Sequence, residues 1–207
     1  MALLHQAQLT PSKIEILQRW VPDQPWGVGG SLEPLGAYRF DDPDGEVGIE
    51  THLLRGADGR ILQAPLTYRG APLSGAEAAL VATIRHSVLG QRWVYDGPHD
   101  PVYVQALATV ILTGGRQADL EFARADGVVE RREAPTRVAG SGTPDTAVPS
   151  LAGATVTTDA ALTAVRGDGL ELDVLRVLGR ALSDGPTLTG TWPGQDAPVP
   201  LAGARTV

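Results

Sequence analysis

The chain has no cysteine, a single lysine, one methionine and only two phenylalanines in 207 residues. Without cysteine there are no disulfides, zinc–thiolate sites, iron–sulfur clusters or cysteine nucleophiles. Of the 17 basic residues, all but Lys13 are arginine. With abundant Ala, Gly, Val and Asp, this reflects codon usage in a GC-rich genome more than function. No apolar run approaches the length that spans a bilayer. The apolar start Met1–Leu4 is interrupted by His5, Gln6 and Gln8, too early for a secretion signal. A net charge of −7 disfavours nucleic acid and anionic membrane as partners. The expectation is a soluble cytoplasmic protein with no nucleic-acid and no membrane partner.

A hydrophobic fraction of 43% and a charged fraction of 20% are those of an ordinary folded domain with a core. Thr10-Pro11 reads as the start of a first helix, with Ile14, Leu17 and Val21 at helical spacing and Pro22 closing it. Residues 22–35 read as a loop. Strands follow at Ala37–Phe40, Val47–Leu53 and Ile61–Tyr68, the last two joined by the hairpin signal Asp58-Gly59. Residues 75–86 read as a helical turn running into a strand, and Arg92–Tyr95 as the next strand. Asp100 caps a second helix, Pro101 occupies its first turn and Gly114 ends it. Between them only Gln105 and Thr109 are clearly polar, so this helix has to be covered on all sides, by the rest of the chain or by a second copy. In the second half, Leu120–Ala125 and Val128–Glu133 flank Asp126-Gly127, and residues 135–154 read as a long loop. Strands are expected at Thr155–Val165, Leu170–Leu178, Leu188–Trp192 and Val199–Val207. In Leu170–Leu178 the apolar alternation slips by one, which implies a bulge or burial on both faces near Val174. The fold class expected is α+β, with curved antiparallel sheets and two or three helices packed on them. Residues 1–113 form an α+β region, and residues 114–207 a β-rich region that continues the same unit.

Residues that carry chemistry are poorly marked. His5, His52, His86 and His99 lack any paired metal-ligand spacing, and no Gly-x-Ser-x-Gly elbow is present. Gly27, Gly29 and Gly30 complete no phosphate loop, and Asp41, Asp42, Asp44 and Glu46 do not follow the calcium-loop order. No catalytic residue, metal or cofactor is assigned. The residues left free for a ligand or partner are Arg92, Asp96 and His99, where a strand meets the second helix, with Trp93 and Tyr95 on one strand face beside them. Trp26 and Trp192 lie among glycines and prolines and are expected at the surface.

Several stretches together carry a family resemblance: Leu89-Gly90, Arg92-Trp93-Val94-Tyr95-Asp96-Gly97 and His99-Asp100-Pro101 before the apolar helix. Leu9-Thr10-Pro11-Ser12-Lys13, Phe40-Asp41-Asp42-Pro43, residues 45–50 and residues 65–73 support it, as do Leu170–Leu178 and Gly190-Thr191-Trp192. The chain resembles the amino-terminal cap domain of bacterial maltokinases over roughly its first 113 residues. Over most of its length it resembles free-standing maltokinase cap-like proteins of GC-rich bacteria. The resemblance implies a curved antiparallel sheet with helices on it. In maltokinases the cap precedes a module that phosphorylates maltose with ATP. That module's catalytic loop, metal motif and Lys–Glu clamp have no counterpart in this sequence, so no catalytic residue carries over.

The first functional reading is a non-catalytic cap-like module that binds a kinase, another protein of α-glucan or trehalose metabolism, or a second copy of itself. The alternative is a maltose- or α-glucan-binding module using Trp26, Trp93, Tyr95 or Trp192. A third is a sugar-phosphate enzyme in which Arg39, Arg69 or Arg92 meets phosphate.

Overall fold

The computed structural model describes residues 3–4, 8–123, 129–182 and 184–207. In chain order the first half contains β1 (Leu3–Leu4), β2 (Leu9–Thr10), α1 (Lys13–Trp20), β3 (Glu33–Phe40), β4 (Gly48–Arg55), β5 (Ile61–Arg69), β6 (Leu80–His86), β7 (Gly90–Asp96) and α2 (Pro101–Thr113). The second half contains β8 (Leu120–Ala123), β9 (Val129–Arg132), β10 (Arg137–Gly140), β11 (Thr155–Thr158), β12 (Leu162–Gly167), β13 (Leu170–Leu175), β14 (Thr187–Trp192) and β15 (Gln195–Thr206). Two six-stranded antiparallel sheets dominate, ordered β2-β6-β7-β5-β4-β3 and β10-β14-β15-β13-β12-β11. Register shifts at Pro34/Gly36, Leu80/Ala82 and Leu188/Thr189 bend them, as bulges do. A small third sheet places β1 parallel to β8, with β9 antiparallel beside it. This is an α+β fold with curved antiparallel sheets and two α-helices.

The first sheet is covered on both faces. On one, Ile16 and Leu17 of α1 pack with Trp26 onto Leu54, Leu62, Leu66 and Val94. On the other, Tyr38, Ile49 and Leu53 meet Tyr103, Leu107 and Ile111 of α2, and the same cluster continues into Leu172, Val174, Leu188 and Leu201 of the second sheet. α2 therefore lies between the two sheets, and only Pro101 and Thr109 along it are exposed. Its all-round apolar sequence is satisfied within one chain. Asp100 caps it by accepting from the Val102 amide at 3.0 Å, and Gly114 ends it in the left-handed region at φ 69°.

Main-chain bonding also crosses from half to half. β7 pairs with β5 only from Leu66 to Arg69, which leaves the start of β5 open on that side. The chain leaving β13 fills the gap. The Gln63 amide donates to the Arg176 carbonyl at 2.9 Å, and the Leu178 amide donates to the Ile61 carbonyl at 2.8 Å. The Gln63 side chain, itself buried, donates to the carbonyls of Leu175 and Leu201 at 2.8 and 3.0 Å and accepts from the Tyr38 hydroxyl at 3.1 Å.

Several sequence expectations are corrected. The cap of α1 is Ser12, not Thr10: the Glu15 carboxylate accepts from the Ser12 amide at 2.8 Å in a capping box, while Thr10 belongs to β2. Residues 135–154 are not all loop, because β10 lies within them and pairs with β14. The run Thr155–Val165 is two strands, turned by Asp159, whose carboxylate accepts from the amides of Ala161 and Leu162, both at 2.7 Å. Trp26 and Trp192 are buried rather than at the surface. The turn expected at Asp126-Gly127 lies outside the described residues.

Candidate functional site

β7 and the turn that leads into α2 place the five residues singled out from sequence. They do not converge. Alternation sends Arg92 and Asp96 to one face of β7 and Trp93 and Tyr95 to the other. Tyr95 is buried, and its hydroxyl accepts from the Leu73 amide at 2.8 Å, which ties down the segment after β5. Trp93 and Arg92 are half-buried. Asp100, beside them, receives two bonds from Arg69 at 2.7 Å each as well as capping α2. Arg69 is thereby committed to holding the helix start.

Asp96 is the centre of a buried ion pair that the sequence reading did not foresee. Its partner is Arg176, 80 positions away and fully buried. Arg176 Nη2 donates to both Asp96 oxygens at 2.7 and 2.6 Å, and Nε donates to the Thr163 hydroxyl at 2.7 Å. The guanidinium lies 5.1 Å from the centre of the Trp26 ring, a cation–π arrangement. His99 Nδ1 stands 3.3 Å from Asp96 Oδ2 on the outer side. Burial opposes ionisation of Asp96, but the Arg176 charge and the hydrogen bonds from His99 and Arg176 outweigh it and hold the carboxyl below its usual range. The sequence signal was present: a lone arginine inside the apolar run Val174–Leu178, just where the alternation slips. Burial on both faces there is confirmed, since Val174, Leu175 and Arg176 are all inaccessible.

A second cluster lies on the α1 side of the first sheet. Glu50 and His52, which alternate with the apolar Ile49 and Leu53 along β4, are buried. The amino-terminal end of α1 and the neighbouring strands cover them. Lys13 forms an ion pair with Glu50, and its ammonium stands 5.8 Å from the centre of the Tyr68 ring. His52 Nε2 is 3.6 Å from the same carboxylate and 3.5 Å from the Tyr68 hydroxyl. Burial pushes Glu50 up, but His52 when protonated, Lys13 and Arg39 together outweigh it and hold Glu50 at about 2. Burial also pushes His52 down, against the pull of Glu50, so its ring is neutral near pH 7. No group of three metal-ligating side chains occurs among the described residues. No helix among them is long and apolar enough to cross a membrane.

What these features define is an α+β protein in which a helix-backed antiparallel sheet is joined to a second sheet through a buried arginine. Residues 18–100 match the family of the maltokinase N-terminal cap domain. The match bears out the resemblance read from sequence over the segment holding β3 to β7, Trp26 and Asp96. It includes Glu50 and His52 but not Lys13, α2 or the second sheet. No curated protein matches the chain.

Two outcomes are expected from these clusters. Arg176→Ala strands a buried Asp96 and lowers stability by about 3–5 kcal/mol in urea unfolding, whereas Arg176→Met with Asp96→Leu recovers most of that loss. The second concerns acid. His52 and Glu50 are both depressed in the fold, so both contribute stability at neutral pH that is lost on acidification. His52 begins to cost below its ordinary value of 6.5, and Glu50 between its ordinary value of 4.5 and about 2. Unfolding free energy measured against pH is expected to fall through both windows, and His52→Gln should flatten the upper one.

Proposed function

We propose that the chain is a non-catalytic module of the maltokinase-cap type that docks a protein partner in cytoplasmic α-glucan or trehalose metabolism, its two halves acting as one unit. The observation that carries this is a pair of exposed apolar side chains, Val88 and Leu89, at the tip of one hairpin. Among the described residues, the exposed large hydrophobic side chains are Leu80 at 42%, Val88 at 58%, Leu89 at 47% and the near-terminal Val207. Val88 and Leu89 lie in the turn between β6 and β7, while Leu80 begins β6 at the other end of the hairpin; all three are inside the cap-matched segment. Arg92 and Trp93 lie half-buried on the same hairpin, and Arg92 has no ion pair among the described residues. Arginine and tryptophan are among the residues enriched at protein contact surfaces, and here they flank the two faces of β7 below the exposed turn. Arg92, Trp93 and His99 are the proposed contacts, with Tyr95 and Asp96 holding the strand beneath them. A kinase or another glucan-pathway protein is the proposed occupant, and a second copy of the chain is the competing one.

The non-catalytic part of the reading is supported by where the charged groups are spent. Arg69 is spent on Asp100 and Arg176 on Asp96, each pair joining separate elements. The carbohydrate-binding alternative loses three of its four aromatics, since the buried Trp26, Tyr95 and Trp192 offer no ring face for stacking.

Light scattering on the eluting chain and affinity capture from the native host test the proposal. The expected result is a dimer or capture of a glucan-pathway protein, lost in Val88→Asp with Leu89→Asp while the fold is kept. Calorimetry with maltose is expected to show no heat. A strictly monomeric chain that captures nothing contradicts the reading.

A further inference from the structure

The β6–β7 hairpin differs in charge from the rest of the chain. From Ala78 to Tyr95 there is no Asp or Glu, in a protein whose net charge is −7. Arg85 and Arg92 lie in that stretch, and neither has an ion pair among the described residues. Arginines elsewhere are engaged: Arg55 lies against Glu33, Arg60 against Asp58 and Arg205 against Glu171. The carboxylates that bound the stretch are engaged as well, Glu77 with the Gly75 amide and Asp96 with Arg176. The neighbouring strands add none. β2 meets β6 through Leu9 and Thr10, and β5 meets Trp93 through Arg69, which is committed to Asp100.

Both arginines and the tip between them are placed. Cross-strand partners share a face, and Arg85 stands opposite Gln91 while Arg92 stands opposite Ile84. The two side chains therefore leave opposite faces of the hairpin, with the exposed Val88 and Leu89 between them at the tip. The tip has a fixed shape, because His86 Nδ1 accepts from the amides of Val88 and Leu89 at 3.2 and 3.0 Å. Arg92 is set in place by the next strand: a Cβ at position 70 would stand 2.6 Å from its Nη1, so Gly70 leaves the room that the guanidinium fills. An ordered surface gives up less conformational freedom on binding than a loose one.

Charge selects among the occupants. A guanidinium is matched best by a carboxylate, two N–H groups to two oxygens. A second copy of the chain is disfavoured, because a two-fold contact sets one surface against itself. It would bring these arginines together with no carboxylate in the stretch to separate them, and like charges across a contact are costly. An extended polyanion such as nucleic acid is repelled by the net negative charge of the whole chain. We propose that the partner docks on this hairpin through an acidic protein segment, its apolar side chains on Val88 and Leu89 and its carboxylates on Arg85 and Arg92. This rests on the partner-docking reading above and names the chemistry of the partner.

Two end-blocked peptides titrated into the full chain test it, one of sequence Glu-Glu-Leu-Val-Glu-Glu and one with Gln in place of each Glu. Amide NMR shifts at Val88 and Leu89 are expected to saturate with the Glu peptide at a concentration about tenfold or more below that for the Gln peptide. Arg85→Gln with Arg92→Gln should remove that difference with the melting temperature retained, since neither arginine holds an ion pair. Absence of saturable shifts, equal affinity for the two peptides, unchanged binding in the double variant, tighter binding of a single-stranded oligonucleotide, or a dimer of the chain joined at the hairpin would overturn the proposal. Capture from the native host separates this inference from the reading beneath it. Loss of a captured protein in Val88→Asp with Leu89→Asp, but not in Arg85→Gln with Arg92→Gln, would leave a partner at the hairpin and remove its acidic character, whereas loss in neither would remove both.

Discussion

Taking a guanidinium out of water costs several kcal/mol, and the cost is recovered only if charge and hydrogen bonds are placed around it with good geometry. Arg176 meets most of that condition with groups from three other parts of the chain, its Nη1 alone having no hydrogen-bond partner among the described residues. Asp96 comes from the end of β7, Thr163 from β12, and Trp26 from the loop before β3. Arg176 itself follows β13. Asp96 cannot move far without leaving a buried charge unmatched, so the second sheet is held to the first at this point. The main chain on either side of Arg176 is held as well, because it completes the open end of β5.

Other features depend on that placement. α2 can be apolar all round because one sheet lies against each side of it. Gln63 would be an unsatisfied amide in the core of an isolated first sheet, yet it is matched by two carbonyls of the second half. Asp96 is ionised because Arg176 is there, and His99 is oriented by Asp96. The polar interior thus specifies which surfaces meet, while the apolar clusters supply most of the attraction.

Much of this was legible in the sequence where local chemistry decides structure. Asp100-Pro101 and Gly114 marked α2 to within a residue, and Asp58-Gly59 marked the β4–β5 hairpin. The order of short motifs around Arg92–Pro101 indicated the cap-type family. Legibility failed where tertiary contacts decide. β10 has a sequence poor in strand formers and exists because β14 lies beside it. Glu50 and His52 look like a solvated strand face until α1 covers them. Trp26 among glycines looks exposed until Arg176 packs on its ring. The five candidate residues near β7 were adjacent in sequence, but strand alternation divided them, and Asp96 found its partner 80 positions away.

The proposed function treats the two halves of the chain as a single rigid body. That claim is tested most directly by native-state hydrogen exchange on the whole chain. The amides of Gln63 and Leu178, which bond from half to half, are expected to open with the same free energy as core amides of either sheet, close to that of global unfolding. Exchange at Leu172 and Val174 through an opening that leaves Leu53 and Ala64 fully protected would contradict it, and would show two units resting on one another.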